Sequence, residues 1–117
     1  MAFTSCHRHA PISATKVRPM ADMVRGLYAD DALDILRYQP QRGARMLEKV
    51  IRSALGNAQD PDQSKGRSVD INRLIVSEAR VDGGPMFKRM RPRARGSAYL
   101  IKKRTSHIHI TLEEEVD

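Results

Sequence analysis

Five cations fall between Gly84 and Gly96 in the run GPMFKRMRPRARG: Lys88, Arg89, Arg91, Arg93 and Arg95, with no acidic residue among them. Like charges this close repel, and none can be buried without a counter-charge. Arginine outnumbers lysine four to one in this run. Its planar fork suits two-point contact with phosphate oxygens and stacks on bases. Pro85 and Pro92 each fix φ and push the preceding residue toward extended geometry. The charges are thus strung along a stiff path that loses little entropy on binding. Three readings fit the run: a solvated basic loop, a nucleic-acid contact, or a contact with anionic lipid. The lipid reading is the weakest, because Met86, Phe87 and Met90 are too few to form a broad inserting face.

Cys6, His7, His9, His107 and His109 are the other side chains whose types could do chemistry. If the first and last strands were neighbours, these alternating residues could converge on a metal. No C-x-x-C spacing supports that, and a regular strand sends His7 and His9 to one face and Cys6 to the other. The expectation is no metal and no cofactor, with the histidines as outward polar residues and His107 at an RNA or sheet-edge contact. Asp30 and Asp31 form an adjacent carboxylate pair, which a helix cap explains more simply than acid–base work. No dinucleotide, phosphate-loop or nucleophile-elbow motif is present. The chain is expected not to be an enzyme; a basic nuclease using His and Asp is the enzymatic alternative.

The elements that must position these residues come from a chain of 117 residues, long enough for one core without staples. Hydrophobic residues make up 40%, a globular composition, but aromatics only 4%, with no Trp. The core must therefore be aliphatic with Met as filler, and base stacking cannot be the main binding mode. The single cysteine excludes an internal disulfide and suits a reducing cytosol. Neither a signal peptide nor a membrane-spanning run is expected. The net charge of +7 is the footprint of a nucleic-acid binder. It is unevenly placed: eight Lys or Arg and no acid lie between Gly83 and Leu112, whereas the chain ends EEEVD.

Phe3 to Ala10 reads as a short strand. Val17, Met20, Val24 and Leu27 recur at helical spacing after Ser13 or Thr15, with Gly26 as the stop. A second helix starts at Asp30 and Asp31, carries Ala32, Leu33, Leu36 and Tyr38 on its apolar side, and ends before Pro40. The third is the clearest: Ala44, Leu47, Val50, Ile51, Ala54, Leu55 and Ala58 form a core-facing stripe. Arg42, Arg45, Lys49 and Arg52 form its other side, with Glu48 able to pair to Arg52. Asp60 to Ser68 reads as a loop. Leu74 to Pro85 and Ser97 to Glu114 are β-prone, and His107 to Leu112 alternates polar and apolar. They read as an antiparallel hairpin over about 74–112 with its tip at about 84–96. A dozen extended residues reach roughly 40 Å, so the tip projects from the body. Lys102, Lys103 and Arg104 charge both faces of the return strand.

The segment VSEARVDGGPMFKRMRPRARGSAYLIKKRTSHIHI closely resembles the signature region of the bacterial large-subunit ribosomal protein L-twenty-two family. The matching residues include Glu78-Ala79, Val81-Asp82, Gly84-Pro85, Lys88-Arg89, the run from Pro92 to Gly96, Lys103-Arg104 and Ser106-His107-Ile108. Upstream, Lys16-Val17-Arg18 with Arg25-Gly26 is similar to the family's first helix, and Lys49 to Ala58 to its third. Gly83, Ser97 and Pro19 depart from the usual residues. The resemblance implies an α+β fold: three helices packed on a small antiparallel sheet, with a long protruding β-hairpin, as one domain over residues 1–117. It implies a structural constituent of the large ribosomal subunit, cytoplasmic and in the ribosome, that binds large-subunit rRNA and supports assembly. Carried over by position, the RNA-binding residues are Lys16, Arg18, Lys88, Arg89, Arg91, Arg93, Arg95, Lys102, Lys103, Arg104 and His107. The tip lining the nascent-peptide exit tunnel is Met86, Phe87, Lys88, Arg89, Met90 and Arg91. The implied partners are rRNA, neighbouring large-subunit proteins and the nascent polypeptide, with no membrane and no obligate homo-oligomer. The alternative is a free-standing basic protein that compacts DNA or regulates it. If all eight cations of the limb met phosphates, affinity would fall with salt at a log–log slope of roughly −6 to −7.

Overall fold

Alternation of Ile108, Ile110 and Leu112 with His107, His109 and Thr111 gives the last strand one dry face and one wet face, and the three aliphatic residues are fully buried. That dry face is where the helices pack. The computed structural model of the chain describes residues 2–60, 69–92, 94–96 and 98–115. Its elements are β1 (Ala2–Ala10), α1 (Ala14–Val24), α2 (Ala29–Arg37), α3 (Arg42–Gln59), β2 (Leu74–Gly83), β3 (Phe87–Pro92), β4 (Ala98–Lys103) and β5 (Ser106–Glu114). The fold is α+β. An antiparallel sheet of order β1-β5-β2 carries the three helices on one face, and β3 and β4 form a separate two-stranded ribbon.

The core is aliphatic, as the shortage of aromatics requires. Val17, Met20 and Val24 of α1, Leu36 of α2, and Leu47, Val50, Ile51 and Ala54 of α3 meet Phe3, Leu74, Val76, Val81, Ile108, Ile110 and Leu112 from the sheet. The stripe expected on the third helix is the buried face of α3, with Leu55 at its half-buried margin. Glu48 is buried beside it and pairs with Arg45 at 2.7 Å and Arg52 at 3.5 Å.

Two helix details differ from expectation. Asp30 and Asp31 do not cap α2; Tyr28 is the N-cap residue and the two aspartates sit in the first turn, where they complement the helix dipole. Tyr38 does not join the apolar side of α2; it is the C-cap residue, one past the last helical position, and it is exposed. The C-terminal carbonyls of α2 are instead closed by Arg45, which donates to the oxygens of Leu36 (2.6 Å), Arg37 (3.1 Å) and Gln39. The loop expected at Asp60 to Ser68 falls mostly on residues 61–68, outside the described residues.

β2 is an edge strand, and unpaired edge groups invite aggregation unless covered. α1 and its exit turn cover this one. Arg18 Nε donates to the Val81 carbonyl at 3.2 Å, and Arg25 Nη2 to the Ala79 carbonyl at 2.5 Å. The Gly26 amide donates to the Val76 oxygen, and the Val76 amide to the Leu27 oxygen. Gly26 has φ +87, a conformation that favours glycine, and it lets the chain turn onto the strand. At the far end Tyr28 Oη donates to Glu115 Oε2 at 2.6 Å, and this hydrogen bond raises the phenol above its ordinary pKa of 10.0.

One continuous hairpin ladder is the expectation from sequence. The structure divides it in two. β2 pairs with β5 as far as Gly83–Ser106, then both chains leave strand geometry, and pairing resumes between β3 and β4 at Phe87–Lys103. Residues 84–86 and 104–105 form an elbow, so Gly84 lies at the base of the ribbon and not at its tip. The elbow is pinned: the Gly84 amide donates to the Thr105 carbonyl at 3.0 Å, and Thr105 Oγ1 donates to the Pro85 carbonyl at 2.6 Å. A Cβ on Gly84 would lie 2.5 Å from Thr105 Oγ1, closer than atoms tolerate.

Candidate nucleic-acid interface

Among the described residues, the ribbon has no dry face. Every residue of β3 is exposed, and Met90 and Leu100 expose 64% and 49% of their surface. Its register sets the chemistry of each side. Phe87 opposes Lys103 and Arg89 opposes Ile101 on one face, which Arg91 shares. Lys88 opposes Lys102, Met90 opposes Leu100 and Pro92 opposes Ala98 on the other. Arg89 holds its guanidinium 5.7 Å from the centre of the Phe87 ring, a cation–π contact that keeps the arginine extended along the surface. Lys88 and Lys102 are directly opposed like charges, a pairing that destabilises a ladder unless an anion sits across it. A two-stranded ribbon is marginal in water by itself.

Whether a cation has a protein partner separates structural arginines from available ones. In the body, Arg18 and Arg25 bond the carbonyls of β2, Arg45 closes α2, Arg52 pairs with Glu48, and Arg80 lies between Glu78 (3.3 Å) and Asp82 (3.1 Å). On the limb, Lys88, Arg91, Arg95, Lys102, Lys103 and Arg104 have no carboxylate within ion-pair distance, and neither have Lys16 or Arg42 in the body, among the described residues. Arg95 has φ +64 in the short turn Ala94–Gly96 that ends the ribbon. Arg93 lies outside the described residues.

The expected site residues therefore fall into three groups. Lys88, Arg89 and Arg91 lie on β3, with Arg95 in the end turn. Lys16, Lys102, Lys103 and Arg104 line an open groove of about 1130 Å³ at the elbow. Arg18 and His107 are in the body. Arg18 spends its Nε on Val81. His107 sits on β5, the central strand, so the sheet-edge contact expected for it cannot form; its Nδ1 accepts the His9 amide at 3.1 Å instead. Of the expected tunnel-tip residues, Met86 and Phe87 lie at the elbow end of the ribbon, and Met90 and Arg91 lie further out. Arg42 was absent from the expected set, although its groove position makes it equivalent to Lys16. Its spacing with Arg45, Lys49 and Arg52 marked a basic helix face, but only the fold brings the start of α3 beside the ribbon.

The cysteine and histidines do come together across β1 and β5. Cys6 Sγ lies 3.9 Å from His109 Nε2, and the same nitrogen lies 3.4 Å from Asp82 Oδ2. Thiol and carboxylate share one ring nitrogen, so the imidazole cannot pass a proton between them as a catalytic triad does. A register shift after His7, with His9 at φ +57, breaks the expected alternation and sets the His9 ring edge-on to His107 at 4.9 Å. Among the described residues, no three His, Cys, Asp or Glu side chains are placed to hold a metal ion.

Residues 5–113 match the model of the family described as Ribosomal protein L22p/L17e. The large ribosomal subunit protein uL22 of Rhodopirellula baltica is 66% identical over 110 residues, spanning 94% of this chain and 92% of that protein. The uL22 proteins of Caldicellulosiruptor saccharolyticus and Akkermansia muciniphila are 44% and 41% identical, over 95% and 98% of this chain and 87% and 98% of their own lengths.

Proposed function

The chain belongs to the ribosomal protein L22p/L17e family, and on that premise we propose that it seats on large-subunit rRNA through the cations its own carboxylates leave unpaired. It is a structural, non-enzymatic constituent of the large ribosomal subunit. The whole chain acts as one ribosomal-protein domain. Its body docks while the ribbon reaches along the nascent-peptide exit path, between rRNA and neighbouring large-subunit proteins, with Met90 and Arg91 near its outer end. The observation that carries this reading is the segregation of charge: Arg18, Arg25, Arg45, Arg52 and Arg80 of the body are bonded internally, whereas the cations of the limb, with Lys16 and Arg42 beside it, have no carboxylate partner among the described residues. Unpaired cations at this density are stabilised by a polyanion, and folded RNA is read through phosphates and shape, without requiring a helix in a groove.

The test is sedimentation of lysate on sucrose gradients at moderate and high salt. The protein is expected to travel with the large subunit. Arg91→Ala with Arg95→Ala should shift it toward the light fractions, while the purified variant melts within about 0.5 kcal/mol of the parent, as exposed substitutions do. Recovery of the parent protein mainly in light fractions, with duplex DNA bound as tightly as structured RNA at matched salt, would establish the free-standing DNA-binding reading instead.

A further inference from the structure

We infer that the groove at the elbow grips a single RNA strand by its phosphates and thereby sets the angle between ribbon and body; this rests on the rRNA-binding reading above. The groove has two walls. Ser13 and Lys16 at the start of α1 and Arg42 at the start of α3 form the body wall; Phe87, Lys102, Lys103 and Arg104 belong to the ribbon and elbow. Five cations line it, no Asp or Glu does, and none of the five has a carboxylate partner among the described residues. Both walls therefore carry the same sign, and they repel until an anion lies between them.

The backbone adds to the field. α1 and α3 both begin on the body wall, so the positive ends of two helix dipoles face the same space. Their N-cap residues, Ser13 and Gln41, cap no backbone amide of the first turn with their side chains, and neither first turn holds an acid. α2 is the opposite case: it starts away from the groove and carries Asp30 and Asp31 in its first turn.

The distribution of charge favours a strand over a small anion. Lys102 to Arg104 spans roughly 7 Å of extended chain, more than one phosphate covers, and Lys16 and Arg42 stand on the facing wall. The exposed Phe87 ring offers a surface for stacking a base. Ribbon and body are otherwise joined by two short crossings, residues 84–86 and 104–105. An RNA strand bonded to both walls is a third connection between them, and it holds the ribbon at one angle to the body.

The experiment uses the full chain in a Cys6→Ser background, with spin labels at Ser53→Cys on α3 and Met90→Cys on β3, both exposed positions. Pulsed electron resonance reads the distance distribution for the free protein and with octauridylate. The distribution should be broad when free and narrow with octauridylate. Lys16→Gln with Arg42→Gln should abolish the narrowing and lower the log–log salt slope of binding by about 1–2; a melt confirms that this variant is folded. A narrow distribution before RNA is added, or equal narrowing in the double variant, overturns the inference. Narrowing by inorganic phosphate at the same phosphate concentration overturns the assignment to an RNA strand. If octauridylate causes no narrowing while the parent still sediments with the large subunit, the elbow inference falls and the rRNA reading stands.

Discussion

Gly84 and Arg45 illustrate how individual residues acquire their roles. Gly84 has an ordinary φ, yet it has no room for a side chain because Thr105 Oγ1 occupies that space and donates to Pro85. Gly84→Ala must displace Thr105 and lose that hydrogen bond. The expected cost is about 1–3 kcal/mol, read by denaturant unfolding; a change under 0.5 kcal/mol would mean that the elbow is not packed as described. Gly-Gly-Pro reads in the sequence as the approach to a tip, since those residues punctuate turns. The sequence carries no signal that the return chain passes close enough to forbid a methyl group. Arg45 likewise reads as one of four cations on a helix face. Its work, closing the end of α2, depends on α2 arriving beside α3.

Among the elements, α3 was the most legible because seven apolar residues repeat at helical spacing over its length, and its buried set follows that stripe. β5 was legible for the matching reason in a strand. The split of the hairpin was not, because Ser97 to Glu114 reads as one β-prone run and the break is made by contacts between chains distant in sequence. Two glycines separate backbone geometry from propensity. Gly26 sits at φ +87 in the turn that covers β2, with space for a Cβ but the wrong conformation for one. Gly56 is an exposed interior position of α3, also with space. Gly26→Ala should therefore destabilise by about 1 kcal/mol, whereas Gly56→Ala should stabilise by about 0.5–1 kcal/mol. Paired thermal melts check the opposite signs; equal signs would contradict the backbone assignment.

At the level of the whole molecule, the extents are 66 × 28 × 17 Å and the radius of gyration is 17.5 Å, against about 13 Å for a compact chain of this length. The excess is the ribbon, which lies outside the hydrophobic core. Replacing residues 87–103 with a short Gly-Asn-Gly turn should leave cooperative unfolding within about 1 kcal/mol of the parent, by circular dichroism, while the protein no longer sediments with the large subunit. Loss of the cooperative transition would show that the ribbon supports the body.

Composition, periodicity and the run GPMFKRMRPRARG were enough to determine an aliphatic α+β body and a cationic limb, because these follow from the number, sign and order of residues along one chain. The tertiary structure alone decided which cations are available. An arginine's charge is written in the sequence, but its partner is whatever folding brings within hydrogen-bond reach. Arg18, Arg25 and Arg45 are bonded to carbonyls from other elements, while Lys16 and Arg42, far apart in sequence, face Lys102 to Arg104 across one groove.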